Sequence, residues 1–294
     1  MNMVIISSFP QVPNRIVNID GGATFLFGDY DAGAETFTPW RPHGEKPGVT
    51  AHLDVSSSSG WWGTQMTSNG RALMIGWAHD YHGAAGPGIT FLTRLTLLRE
   101  IHFDPVTSNL VSNPVPELVG LRTTKLASER AVALIPGQIY PVKGTGNGAA
   151  ASADVLLTFD LSGVSADAPA ATFGACVLAN STFTGLGLRL TVSNDTLHAE
   201  LNYCQVGASG IVAVSLYGSK TVSVRITPDR SVADFFVEGG RWSGTEAWPL
   251  PAARKAADSR VALWTSTAGV TADVDVYQMG CGWANPSYTT TPTL

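Results

Sequence analysis

The residues best suited to chemistry fall between positions 29 and 82: carboxylates at Asp29, Asp31, Glu35, Asp54 and Asp80, indoles at Trp61, Trp62 and Trp77, and imidazoles at His79 and His82. Carboxylates accept hydrogen bonds from hydroxyl groups and indole faces cover C–H surfaces, so an Asp beside a Trp is the pattern of a sugar subsite. Asp54 directly precedes VSSSSGWWG, which supplies Trp61 and Trp62. In NGRALMIGWAHDYHG, residues 69 to 83, an apolar strand-like run passes through Gly76 into Trp77 and then into His79, Asp80, Tyr81 and His82. The competing reading is a tryptophan pair in a core with a surface Asp, because Trp is largely buried on average.

Other chemistries fit less well. Glycoside hydrolysis needs two carboxyl groups roughly 5 Å apart for retention, or roughly 6.5 to 9.5 Å for inversion. Asp29, Asp31 and Glu35 lie in GDYDAGAETFTP, where a strand runs into a turn and out again; Asp close before Gly is common turn chemistry, and solvated turn carboxylates are the expectation. His79, Asp80 and His82 lack the fixed spacing of a metal site and have no second cluster to complete one. GTGNG at 144 to 148 has no strand leading into it and no helical pattern after it, so it reads as a flexible loop and not a phosphate cradle. Cys176, Cys204 and Cys281 are odd in number and show no CxxC spacing, which implies neither a disulfide framework nor zinc. No metal and no cofactor is expected.

The elements that must hold these residues are strands. Only 14% of the 294 residues are charged, while there are 31 Gly and 17 Pro, which suits short strands and tight turns better than helices. Leu186, Leu188, Leu190 and Val192 alternate with other residues, as do Leu197, Ala199, Leu201 and Tyr203, then Val222, Val224 and Ile226, then Ala272, Val274 and Val276. Period two puts one face in a core and the other in water. With further short runs at 154–161, 231–237 and 260–264, this predicts a β-sandwich or barrel. Earlier runs (MVIISS, ATFLFGDY, RALMIGWA, FLTRLTLL) are separated by long loops rich in Gly, Pro and Ser, the kind that carry binding residues on a rigid scaffold. NPVPELVGLR, 113 to 122, reads as a linker with one helical turn. A net charge of −5 argues against nucleic acid, and no apolar run approaches the roughly 18 residues of a membrane helix. The N-terminus lacks the basic region of a signal peptide, and the sequons at Asn180 and Asn194 read as chance matches, so the compartment is left open.

Several segments in order resemble glycoside hydrolase family 32, the invertases, inulinases and levanases. VIISSFP followed by GDYDAGAETFTP resembles the family's strand and "GDFD…FTP" turn, and LDVSSSSGWWGTQMTSNGRALMIGW resembles its "LDYG…GRRILIGW" block. LTRLTLLREIHFDPVTSNLVSNPVPELVGLR resembles the stretch that closes the family's propeller, with Arg94 and Glu100 falling at positions read as structural. DRSVADFFVEGGR resembles a sandwich motif in which Asp234 stands for a Glu, and YQMGCGW falls where such chains end.

The resemblance implies an all-β fold in which the last blades of a five-bladed β-propeller are followed by a C-terminal β-sandwich. On this reading residues 1–112 are propeller, 113–127 a linker with a short helix, 128–285 the sandwich and 286–294 a tail. It implies a fructose-containing sugar, sucrose or a fructan, as ligand. Trp77 would line the fructose pocket and Asp54 would fix the leaving side of the substrate, with Trp61, Trp62 and Asp80 shaping the subsites. The family's nucleophile, transition-state stabiliser and acid/base lie in "NDPNG", "RDP" and "ECP" blocks, and none of these strings occurs here. No catalytic residue is therefore assigned. The expected partners are an upstream propeller chain that supplies the carboxylates or a second copy of this chain, and the alternative is a non-catalytic fructan-binding or structural module.

Overall fold

The computed structural model describes residues 2–8, 22–39, 51–55, 61–68, 71–79, 93–106, 109–204, 206–230, 232–247 and 259–280. The chain enters as β1 (Asn2–Ser8), β2 (Gly22–Asp31), β3 (Thr36–Pro39) and β4 (Ala51–Val55), then β5 (Trp61–Ser68), β6 (Arg71–His79), β7 (Thr93–Leu95), β8 (Arg99–Asp104) and β9 (Asn109–Pro114). A 3-10 helix, Pro116–Leu121, with Pro116 in its first turn, leads into β10 (Arg122–Ala133). There follow β11 (Ile139–Pro141), β12 (Ala153–Asp160), β13 (Ala171–Ala179), β14 (Leu186–Ser193), β15 (Thr196–Tyr203), β16 (Val206–Ser215), β17 (Thr221–Asp229), β18 (Val232–Val237), β19 (Trp242–Ala247), β20 (Arg260–Thr265) and β21 (Thr271–Met279). The fold is all-β, and among the described residues no helix is long and apolar enough to cross a membrane.

Two sheets face each other in the second half. One runs β19-β18-β17-β12-β21-β10 and the other β11-β20-β13-β14-β15-β16. The alternating residues of the sequence become the inner faces: Leu186, Leu188, Leu190, Leu197, Ala199, Val222, Val224, Ile226, Val274 and Val276 are all buried in one core. Phe159 on β12 meets Phe173 on β13 across the sandwich, ring centroids 4.7 Å apart. Each such aromatic contributes about 1.5–3 kcal/mol by leaving water. Asn194 and Asp195, at φ 47° and 65°, form the two-residue turn between β14 and β15, the conformation that matches the twist of a hairpin. The sequon residue Asn180 is likewise a turn residue, its Oδ1 accepting from Thr182 N at 3.0 Å and Thr184 N at 2.8 Å.

The first half forms two further sets of strands. β1-β2-β4, with β3 beside β2, continues the first sandwich sheet through a parallel bridge at Val55 and Gly244. The other set is an antiparallel sheet, β5-β6-β8-β9, with β7 paired to β6. It is fastened to the sandwich through the β18–β19 hairpin. Arg99, fully buried, is bonded to buried Asp234, and its Nη2 donates to Thr245 Oγ1 at 2.5 Å. Asp234 Oδ2 also accepts from Leu97 N at 3.2 Å, and the Arg99 guanidinium lies 5.0 Å from the Phe236 ring centroid.

At the hairpin tip Ser112 N donates to Gly240 O at 3.1 Å, Asn113 Nδ2 to Gly239 O at 2.6 Å, and Arg241 Nε to Asp104 Oδ2 at 2.9 Å. Gly240 has φ +85°, and a Cβ there would lie 2.4 Å from Ser112 O, so this approach demands glycine.

The loop at 144–152, read from sequence as flexible, is packed. Thr145 and Ala150 are buried, and Thr145 Oγ1 donates to Val142 O at 2.8 Å and accepts from Val261 N at 3.1 Å.

Candidate functional site

The three candidate tryptophans, Trp61, Trp62 and Trp77, stand at the end of the β5–β6 hairpin. Its register pairs Ser68 with Arg71 and then runs up to Gly63 with Gly76, Trp62 with Trp77 and Trp61 with Ala78. The hairpin thus places Trp62 and Trp77 directly opposite each other. The sequence signal for this is Asn69-Gly70 between the two runs, the dipeptide favoured in two-residue hairpin connections. β7 extends the row, pairing Leu95 with Trp77.

The backbone beside Trp77 is fixed by a residue that sequence reasoning missed. Gly76 N donates to Thr96 Oγ1 at 2.8 Å and Thr96 N donates to Gly76 O at 2.9 Å, with Thr96 only 4% exposed. Both bonds are shielded from water, where an unmade partner would be costly. A single Thr after a short strand carries no signal in sequence, because the bond depends on β7 folding back onto β6.

The opposite end of β6 is held by charge. Arg71 Nη2 meets Glu100 Oε2 at 2.7 Å and Arg71 Nη1 meets Glu117 Oε1 at 2.5 Å, joining β6, β8 and the 3-10 helix. The Arg71 hydrogen bond holds the Glu117 carboxyl at about 2, well below the usual range, and lowers that of Glu100 as well. Glu100 is thus a structural partner. In mid-strand Met74 pairs with Arg99, so the strand that carries Trp77 is linked through β8 to Asp234 in the sandwich.

Asp54 lies on β4, opposite Ala23 of β2. The register shifts there, from Ala23 with Asp54 to Thr24 with His52, which is a bulge, a device common beside binding sites. Trp61, Trp62 and Trp77 therefore share one hairpin end, while Asp54 stands in the other sheet. Asp80 lies outside the described residues, as do the flanking Tyr81 and His82.

The acidic turn at Asp31 behaves as a turn. Asp31 Oδ1 accepts from Gly33 N at 2.8 Å and Ala34 N at 3.1 Å, and Asp29, Asp31 and Glu35 are exposed. Among the described residues no group of three or more His, Cys, Asp or Glu side chains is placed to hold a metal ion. Cys176 and Cys204 are buried free thiols, and the hydrogen bond with Cys204 together with burial pushes the Cys176 thiol up.

No family model matches the sequence, and no curated protein sequence matches it. Solved structures do match the fold. Fructan 1-exohydrolase IIa from Cichorium intybus superposes with a TM-score of 0.68 at 17% identity, over 89% of this chain and 55% of that one. Exo-inulinase from Aspergillus awamori gives 0.62 at 18%, over 91% and 53%, and sucrose-6-phosphate hydrolase from Lactobacillus gasseri gives 0.61 at 14%, over 88% and 48%. The chain spans about half the length of these enzymes. What it shares with them is the fold, propeller blades joined to a β-sandwich.

Proposed function

We propose that this chain is one portion of a β-fructofuranosidase-type glycoside hydrolase acting on sucrose or fructans. It contributes the pocket wall and the sandwich, while the catalytic carboxylates lie on upstream sequence or on a partner polypeptide. The observation that carries this reading is the fold match itself, which covers 89% of this chain but 55% of the chicory enzyme. A variant of that enzyme is solved with 1-kestose, and the Schwanniomyces occidentalis fructofuranosidase with fructose, which supports a fructosyl ligand here.

In this reading Trp77 forms the floor of the fructosyl pocket, Trp61 and Trp62 form its apolar step, and Asp54 and Asp80 take hydroxyl hydrogen bonds. The reaction is retaining hydrolysis: one carboxylate attacks the anomeric carbon as the other protonates the leaving oxygen, and water then releases fructose from the enzyme. This chain positions the sugar and shields it. Among the described strands β1 and β5 are terminal in their sheets, and terminal strands present backbone donors and acceptors that a neighbour can cover. A preceding blade or a second copy of the chain supplies that cover.

The test is fructose release from sucrose, 1-kestose and inulin by the purified chain. Sugar binding without fructose release supports the division of labour. Fructose release by the chain alone places both carboxylates within it and overturns that division. Light scattering separates the two modes of closure, since a clean monomer excludes self-association.

A further inference from the structure

A cavity of about 360 Å³ opens at the end of the six-stranded sandwich sheet, lined by Lys143, Gly144, Thr145, Gly146, Asn147 and Arg260 among others. We infer that it binds an oxyanion of the phosphate or sulfate class, a site separate from the sugar-binding residues and independent of the reading proposed for them.

Three observations converge. The lining residues include two cations, Lys143 and Arg260, and no carboxylate. Glu129, which reaches this turn from β10, is already engaged by Lys143 N at 3.2 Å and by the Tyr140 hydroxyl. Arg260 Nε is buried with no hydrogen-bond partner. Nε itself is closed to solvent beneath the turn, but Arg260 as a whole is only half-buried, so the outer nitrogens of its planar fork are the donors an oxyanion in the cavity would meet.

The turn that faces Arg260 is fixed in place. Thr145 ties it to β20 through Val261 N, and Gly144, at φ +79°, comes so close to Leu126 O that a Cβ would lie 2.5 Å from it. A Cβ on Gly146 would sit 3.8 Å from both Cζ and Nε of Arg260, so the turn backbone lies directly against the guanidinium. The protein carries a net charge of −5, which repels anions in general, so occupancy here requires the local cation pair. The volume falls in the range of small-ligand pockets, leaving room for an oxyanion borne on a small organic group.

The experiment is calorimetric titration of the full chain with inorganic phosphate, sulfate and acetate against sodium chloride at equal ionic strength. Saturable phosphate or sulfate binding is expected, weakened about tenfold or more by Arg260→Gln and severalfold by Lys143→Gln. Lys143 is exposed, so its variant keeps the fold and decides the matter should Arg260→Gln fail to fold. Three results overturn the assignment: phosphate heats equal to those of chloride, unchanged phosphate affinity in the folded variants, or acetate binding as tight as phosphate.

Discussion

Arg99 and Asp234, 135 residues apart in the chain, meet as a buried ion pair that fastens the β5–β9 sheet to the sandwich. Removing one partner of such a pair leaves an uncompensated charge in a dry site. Asp234→Ala is expected to lower unfolding free energy by about 3–5 kcal/mol, whereas Arg99→Met combined with Asp234→Ala costs less than the two single changes added together. Denaturant melts of the four proteins check this, and additive losses would show that the two side chains do not act as a unit.

The hairpin tip gives a matched pair of glycine tests. Gly239, at φ +64°, has open space where a Cβ would go, whereas a Cβ on Gly240 would strike Ser112 O. Gly239→Ala pays only for the backbone conformation, about 1–2 kcal/mol. Gly240→Ala is expected to cost clearly more in thermal melts, because the β9 backbone must move as well.

Acid titration should report on Asp275 and Glu117. Burial raises the Asp275 carboxyl, but bonds from Arg130, Lys125 and Ser128 outweigh it and bring the group to about 2. Glu117 is held at about 2 by Arg71. Both pKa values lie below those of the unfolded chain, about 3.8–4.5, so their stabilisation is complete above that range and is lost as pH falls from it towards 2. Asp275→Asn should flatten this acid limb, measured as the midpoint of urea unfolding at pH 5 and pH 3. An unchanged slope between the two pH values would contradict the assignment.

Thiol chemistry should separate native from unfolded chain. With Cys176 and Cys204 buried and the Cys176 thiol raised, two of the three cysteines should stay silent to a disulfide-exchange reagent at pH 8 until denaturant is added. Titration of all three thiols in the native protein would contradict the packing around them.

The fold class was legible where a strand alternates, and also in the apolar runs that became β18 and β20, although those strands are buried on both faces. Leu188 and Leu190 alternate with Arg189 and Thr191, and β14 follows that pattern, the leucines buried and Arg189 and Thr191 only half-buried. β13 was not legible: from Ala171 to Ala179 every residue but Thr172 is buried, because Cys176 and Ala179 join a second cluster with Trp264 on the far side of the sheet. It lacks alternation, and its middle, Gly174-Ala175-Cys176, has none of the β-branched or aromatic residues that mark a buried strand. The candidate site was legible as residue types, with Trp62 and Trp77 brought together by the hairpin register. Its supports were not, because Thr96 and Arg99 act through partners that only the tertiary fold supplies.

We propose that the hairpin end carrying Trp62 and Trp77 belongs to a fructosyl-binding surface. Calorimetric titration of the chain with 1-kestose tests it most directly, alongside the Trp77→Ala variant with its fold checked by circular dichroism. Saturable binding is expected, falling about tenfold or more in the variant, the loss of roughly 1.4 kcal/mol expected when one aromatic contact surface is removed. Equal affinity in the wild type and a folded Trp77→Ala variant would contradict it.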